Sequence, residues 1–466
     1  MTASVIVWLR RDLRLADQPA FAAAIATGAP VIPVYILDDD TPKHRKMGAA
    51  SRWWLHHSLT ALDADLRALG SRLILRAGKS DEVLCALAAE TGASAIHCMR
   101  HYEPWWRNAE KAIASGVGAG CAFVCHNGNY LLPAGSVTTG SGGQYKIYTP
   151  FMRALWQHMP PPVPLAAPTR ITTPQTWPAS DNIDDWDLLP TRPDWSGGMV
   201  EMWTPGEAGA NARLEAFADK AKHYDEKRNL PSVAGSSFLS AHLHFGEISP
   251  STCWHATMHA GGSVDVFLKE LVWRDYAQNV IVQMPEYGAK NARDAFDRLP
   301  WRDLSDPAVK ADFVAWTKGR TGYPIVDAGM RQLWATGWMH NRVRMITASF
   351  LIKHLLIDWR EGEQWFWDTL CDADYASNAT NWQWTAGTGV DSNMFSRIMA
   401  PLSQSEKFDA ARYIRTYVPE LARMEEPYIH DPEEFGRRPM GYPRKIVPHK
   451  AARERALAAL KAMKDG

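Results

Sequence analysis

Two stretches of this chain hold residue types that seldom share a core. Trp338-Met339-His340-Asn341-Arg342-Val343-Arg344-Met345 mixes cations, an amide, an imidazole and a thioether. Asp372-Ala373-Asp374 and Trp382-Gln383-Trp384 follow in the same half of the chain. Asn341, Arg344 and Met345 are spaced i, i+3, i+4, and so are Glu270, Trp273 and Arg274. On a helix each trio shares one face. The plainest reading of the second trio is an amphipathic helix with a snorkelling Arg and a surface ion pair. For Arg344 and Asp372 it is a structural salt bridge. The functional alternative is a charged pair beside a redox cofactor. A planar redox group held as an anion needs a nearby cation, with donors and acceptors along its edges. Arg supplies a fork, Asn both donor and acceptor, and Met a polarisable apolar surface.

Ser236-Ser237-Phe238-Leu239-Ser240 follows Gly235. Clustered hydroxyls near a helix start suit a phosphate, although Ser is also an ordinary cap residue. Of the 21 Trp, Trp301, Trp359, Trp382 and Trp384 show no common helical period. Such residues are core, or a chain of rings that passes an electron inward.

The elements that must position these groups follow from pattern. At 466 residues the chain has room for two or more domains. Lys+Arg and Asp+Glu are equal at 51 each, so any nucleic-acid contact must be a local basic patch. No run is long and apolar enough for a membrane span, and Val5–Leu9 is strand-like almost from the start, which argues against a signal peptide. The six Cys include no CxxC pair and read as reduced thiols of a cytoplasmic protein. No residue set reads as a metal site, and a monomer is the default.

Five strand candidates, Val5–Leu9, Val31–Leu37, Arg72–Leu75, Ala95–Met99 and Ala122–Cys125, alternate with helix patterns such as Arg52–Leu69 and Asp81–Glu90. That alternation predicts an α/β domain over residues 1–130 with a doubly wound, parallel five-stranded sheet. Gly116-Val117-Gly118-Ala119-Gly120 precedes a strand instead of following one, so it reads as a turn and not a dinucleotide loop. Residues 131–205 are Pro-rich, from Pro160-Pro161-Pro162 to Pro193, which makes them a connector with little regular structure. From 206 to 466 the period is helical, with stops at Gly319 and Gly337, so an all-α domain is expected.

These pieces, in this order, resemble the photolyase/cryptochrome family. The opening Trp8-Leu9-Arg10-Arg11-Asp12-Leu13-Arg14 is similar to its N-terminal signature. The run Arg320–Leu333, its continuation to Met345, and Glu406-Lys407-Phe408-Asp409 resemble its flavin domain. The likeness spans essentially the whole chain and is nearest to bacterial class I-type members that repair cyclobutane pyrimidine dimers. It implies a light-driven carbon–carbon lyase that uses FAD to split the dimer in UV-damaged DNA. A cryptochrome-type blue-light signalling flavoprotein and a (6–4) photolyase are the alternatives.

The resemblance also implies residue roles. Tyr224, Ser236, Ser237, Phe238, Leu239 and Ser240 match the phosphate side of the FAD site. Trp273, Arg274, Arg344, Asp372, Ala373, Asp374 and Asn378 match its ring and ribose contacts, with Asn378 near flavin N5. Glu270, Trp273, Asn341, Arg342, Met345 and Trp384 match the lesion pocket. Glu270, Asn341, Met345 and Asn378 carry the catalytic roles. Arg228, Arg397 and Gln404 match DNA-side contacts. Trp382, Trp359 and Trp301 match the proximal, middle and distal electron carriers. Members that repair (6–4) lesions carry a histidine pair where this chain has Asn341 and Met345. The chain departs from the pattern at Phe238, where bacterial members carry Arg, and at Met399-Ala400. A second, antenna chromophore is implied in the N-terminal domain: a folate beside His44, Glu103 and Glu110, or a deazaflavin or flavin, since Trp105 and Trp106 stand where folate binders carry Asn and Glu. The short basic segment Ala451–Lys464 is no long signalling tail.

Overall fold

The computed structural model describes residues 3–259 and 264–465. Five strands form one sheet: β1 (Val5–Leu9), β2 (Val31–Leu37), β3 (Ile74–Ala77), β4 (Ala95–Met99) and β5 (Ala122–His126). All pairs are parallel, in the order β3-β2-β1-β4-β5. Every residue of β1 and β2 is buried, as expected of central parallel strands covered on both faces. The crossovers are α1 (Pro19–Ala26), α2 (Ala49–Ala68), α3 (Ser80–Thr91) and α4 (Pro104–Gly116). The expected doubly wound α/β fold is therefore present.

The third strand begins two residues later than Arg72. Its ladder runs from Val34↔Ile74 to Leu37↔Ala77, and Gly78 N continues it by donating to Leu37 O at 3.1 Å. The Arg72 guanidinium lies over the Trp177 ring at 4.8 Å. Gly116 ends α4, and the glycines after it turn the chain into β5.

The Pro-rich stretch is not wholly irregular: a helix spans Tyr148–Trp156, before the first proline cluster, and another spans Gly197–Met202. In between, the chain wraps the sheet unit through single backbone bonds. Asp17 N donates to Leu165 O, Val31 N to Thr172 O and Asp181 N to Leu75 O, each at 2.8 Å.

Beyond His126 the named elements among the described residues are all helical. Chain contacts divide the protein into two compact units. The first comprises Met1–Asp194, Trp203–Lys222 and Ser237–Pro285; the second comprises Trp195–Met202, His223–Ser236 and Glu286–Gly466. Four helices of the second unit matter here: Pro324–Thr336, Asn341–Ser349, Trp359–Thr369 and Tyr375–Ala386. Gly337, at φ 65°, closes the first of them, where a Cβ would be strained. No described helix is long and apolar enough to cross a membrane.

Candidate functional site

The helix Asn341–Ser349 begins directly after His340, whose Nδ1 accepts from Arg342 N at 3.2 Å and caps it. That start places three candidate side chains. Arg344 forms a two-pronged pair with Asp372: Nη1 to Oδ1 at 3.1 Å and Nη2 to Oδ2 at 2.8 Å, while its Nε donates to Met339 O at 2.7 Å. Arg342 donates through Nε and Nη2 to Asn229 Oδ1 at 3.2 and 2.7 Å, lies over Phe408 at 4.5 Å, and reaches Met345 Sδ at 3.5 Å. Asn341, at the first turn, is exposed.

Burial, aided by the charges of Arg342, Arg344 and Arg228, pushes the His340 imidazole down to about 4. It is thus neutral at physiological pH. Arg228 lies over Tyr224 at 5.3 Å. Arg228, Arg342 and Arg344 thus give this unit a local cluster of positive charge.

Asp374 caps the helix Tyr375–Ala386, its carboxylate accepting from Ser377 N at 2.8 Å. One turn on, Asn378 Nδ2 donates to Glu363 O at 3.0 Å and Glu363 Oε1 at 2.9 Å. Both amide protons are thereby used, which leaves Oδ1 as the remaining acceptor of this side chain. Ala373 and Glu363 are buried. Glu363 escaped the sequence reading because the pair joins two helices across 15 positions, a separation without periodic meaning.

Trp382 is buried, its ring meeting Phe366 at 5.0 Å and Trp316 at 6.4 Å, both edge-on. Trp359 is buried and its Nε1 donates to Asn291 Oδ1 at 2.9 Å. Gly362, one turn after Trp359, packs so tightly on the other indole that a Cβ there would lie 2.2 Å from Trp382 Cη2. Thus the Trp359 helix is seated on Trp382. Trp301, half-buried, meets Phe395 at 6.3 Å. Half-buried Trp384 accepts through its carbonyl from Ser392.

Lys353, wholly buried, was also missed. Its ammonium donates to Met394 O at 2.8 Å and Arg397 O at 2.9 Å, so it pins the segment that carries exposed Arg397. Burial pushes it down to about 7. Gln404 lies in the following helix, Pro401–Lys407. Tyr224, Arg228 and Ser236 belong to this second unit as well.

The remaining sequence candidates belong to the first unit. Glu270, Trp273 and Arg274 lie on the helix Asp265–Gln283 as the spacing predicts. Trp273 is stacked on Tyr148, with centroids 3.4 Å apart and planes within 4°. Arg274 donates to the Asn129 and Leu243 carbonyls and lies over Tyr130 at 4.4 Å, so its fork ties backbone together. Phe238 adopts a left-handed φ of 56°, with Arg213 5.7 Å from its ring. Ser237 Oγ accepts from Leu239 N at 3.4 Å, and Ser240 opens the helix Ser240–Phe245.

In the sheet unit, His44 stacks on Trp105 at 5.6 Å and meets Trp106 edge-on at 4.6 Å. The two acidic candidates for a chromophore are already engaged. Glu103 pairs with Arg11 at 2.9 Å, and Glu110 with Arg10 at 3.1 Å and Arg100 at 2.7 Å.

Comparison with known proteins decides the family. The family description "FAD binding domain of DNA photolyase" matches residues 267–462, and "DNA photolyase" matches residues 5–169. A deoxyribodipyrimidine photo-lyase of Agrobacterium fabrum is 48% identical over 480 residues, covering 99% of this chain and 98% of the relative. The chain belongs to the DNA photolyase family. A crystal structure of a bacterial class III photolyase from Agrobacterium tumefaciens superposes with a TM-score of 0.94 at 47% identity, covering 100% of this chain and 98% of that one. Cryptochrome-1 of Arabidopsis thaliana is 36% identical, covering 92% of this chain and 64% of the relative. The solved relative is class III, whereas the motifs were read as class I-type. FAD is the cofactor of the matched domain, and the donor set fits it: a guanidinium fixed by a carboxylate, a second buried carboxylate, and an amide whose nitrogen is held by Glu363.

Proposed function

We propose that this protein repairs cyclobutane pyrimidine dimers in UV-damaged DNA with light. The observation that carries the reading is the Arg344–Asp372 pair on the same unit as the Glu363-oriented Asn378. Bound FAD, reduced and excited by light, supplies the electron. The chain's own residues hold and aim. Arg344 keeps a fixed positive charge for an anionic ring, and Asp372 stops it from swinging away. Asn378 Oδ1 accepts from the N5 edge. Trp382, Trp359 and Trp301 relay electrons inward to restore the reduced cofactor.

Glu270 and Asn341 donate to or accept from the extruded bases, and Trp273 and Trp384 stack on them. The Tyr148 stack covers one face of Trp273, and Tyr276 meets the indole edge-on at 5.5 Å, so its plane is fixed. Stacking of this kind is worth on the order of 1–3 kcal/mol per base and tolerates sequence. A dimer already unstacks its neighbours, which lowers the cost of extrusion. Arg228, Arg342, Arg397 and Gln404 hold phosphates, so affinity falls with salt. Residues 1–130 serve an antenna chromophore, 131–205 connect, and 206–466 carry the flavin and DNA functions. The aromatic cluster of His44, Trp105 and Trp106 supports a flat antenna ring more than the engaged acids Glu103 and Glu110 do.

Asn341 and Met345 offer no imidazole for the proton transfer that a (6–4) lesion needs, which favours the dimer. The test is a competition between oligonucleotides bearing one dimer or one (6–4) lesion, under blue light with reduced protein. Loss of the dimer alone supports the reading. Loss of the (6–4) lesion alone, or of neither, contradicts it.

A further inference from the structure

The sheet unit holds a pair of thiols that the proposed repair does not use. Cys98 on β4 and Cys125 on β5 face each other directly in the parallel register, and their sulfurs are 3.4 Å apart. Neighbouring strands lie about 4.8 Å apart, inside the range of roughly 4.4–6.8 Å between Cα atoms that a disulfide spans. Cys98 is wholly buried, whereas Cys125 is half-buried on the edge strand. The surroundings are cationic. Arg10 and Arg100 both reach Glu110, at 3.1 and 2.7 Å, with Arg107 at 3.6 Å. The sulfurs and the Glu110 carboxylate also lie within 4.8 Å of one another, as metal ligands would. Yet a metal ion there would have to displace two guanidiniums from the carboxylate and sit among three positive charges. The same charges favour a thiolate.

We propose that Cys98 and Cys125 form a redox-active dithiol, a modification site for hydroperoxides in which Cys125 attacks and Cys98 resolves. The two cysteines divide the work by environment. The Cys125 thiol is lowered by the hydrogen bond from Cys98, against burial and the Glu110 carboxylate and with Arg100 and Arg10 assisting, while burial raises that of Cys98. Burial raises Cys85 and Cys121 and pushes Cys253 up to about 12, which makes them poor nucleophiles.

With hydrogen peroxide the chemistry balances. The Cys125 thiolate attacks one peroxide oxygen, the O–O bond breaks, and the leaving hydroxide takes up a proton to become water. Cys125 is then a sulfenic acid. The Cys98 sulfur gives up its proton and attacks the Cys125 sulfur, the S–O bond breaks, and a second water leaves. Two thiols lose two electrons, and one peroxide becomes two waters. The sulfurs must close to about 2.05 Å, a movement open to small side-chain rotations. The Arg10 guanidinium lies over Trp8 at 4.1 Å and Trp106 at 5.3 Å, so the bond forms beside the aromatic cluster of this unit.

The test treats the reduced, FAD-loaded full chain with hydrogen peroxide, blocks remaining thiols with iodoacetamide and maps the peptides by mass spectrometry. The expected result is loss of two of the six thiols to one Cys98–Cys125 cross-link, reversed by dithiothreitol, while the other four remain alkylated. In Cys98→Ser, and in Cys98→Ala should the serine not fold, dimedone should trap a sulfenic acid at Cys125. Oxidation of Cys125 straight to sulfinic acid in the unaltered chain, or unchanged alkylation of both cysteines, would overturn the proposal. So would zinc that survives desalting and blocks their alkylation.

Discussion

Replacing Asp372 by Ala strips both acceptors from the Arg344 fork. The Asp372 side chain is 3% exposed and that of Arg344 24%. Removing one partner of a fully buried pair costs roughly 3–5 kcal/mol, because the other charge is left uncompensated. Arg344 keeps its bond to Met339 O and some contact with water. The cost to the cofactor-free protein therefore falls below that range, at about 2–3 kcal/mol. For a cooperative unit of this size that lowers the thermal midpoint by roughly 5–10 °C. The FAD-loaded protein should lose more, since in the proposed site Asp372 also fixes the cation offered to the ring. An extra tenfold weakening of FAD binding corresponds to about 1.4 kcal/mol. Melting curves of apo and loaded protein, with a flavin-fluorescence titration, separate the two contributions. Asp372→Asn, which keeps one acceptor, should fall between. Equal melting losses in both forms with an unchanged FAD dissociation constant would refute the reasoning, because the pair would then be only a bolt between segments.

Other consequences follow from the same geometry. Trp382→Phe should slow photoreduction strongly while repair by chemically reduced protein stays near normal; equal loss of both removes the relay assignment. Gly362→Ala places a Cβ against Trp382 and Leu351, and such overpacking costs roughly 1–3 kcal/mol; a melting midpoint and photoreduction rate like those of the unaltered protein would contradict the tight seat. His340 is held down at about 4, below its unfolded value, by burial and then by Arg342, Arg344 and Arg228. The unfolded chain therefore binds more protons between pH 4 and 6.5, so stability rises with pH across that window and is lost as pH falls through it. The loss should reach roughly 3 kcal/mol near pH 4. His340→Asn, which keeps a capping acceptor, should flatten that part of the pH–stability curve, and an unchanged slope would contradict the assignment.

What was legible in the sequence follows from the range of the interactions. Strands β1 and β2 are buried on both faces, so they read as unbroken apolar runs. The trios Glu270-Trp273-Arg274 and Asn341-Arg344-Met345 were legible because helical spacing is local. The third strand slipped because its ends are set by hydrogen bonds to β2 and not by its own residues. The helix at Tyr148–Trp156 was hidden by the prolines that follow it. Glu363, Asn229, Lys353 and Tyr148 were invisible for a different reason. Each acts on a candidate residue through contacts of long sequence separation, which no periodicity reports. Arg274 shows the converse. Its spacing marked a functional face, yet two of its nitrogens tie backbone carbonyls.

The most direct measurement is repair of an oligonucleotide with a single thymine dimer by purified, chemically reduced, FAD-loaded protein, in blue light and in darkness. Intact thymines should reappear in light only, with turnover beyond one dimer per protein. Bound flavin with no light-dependent recovery of thymine, or recovery that proceeds equally in darkness, would contradict the proposed function.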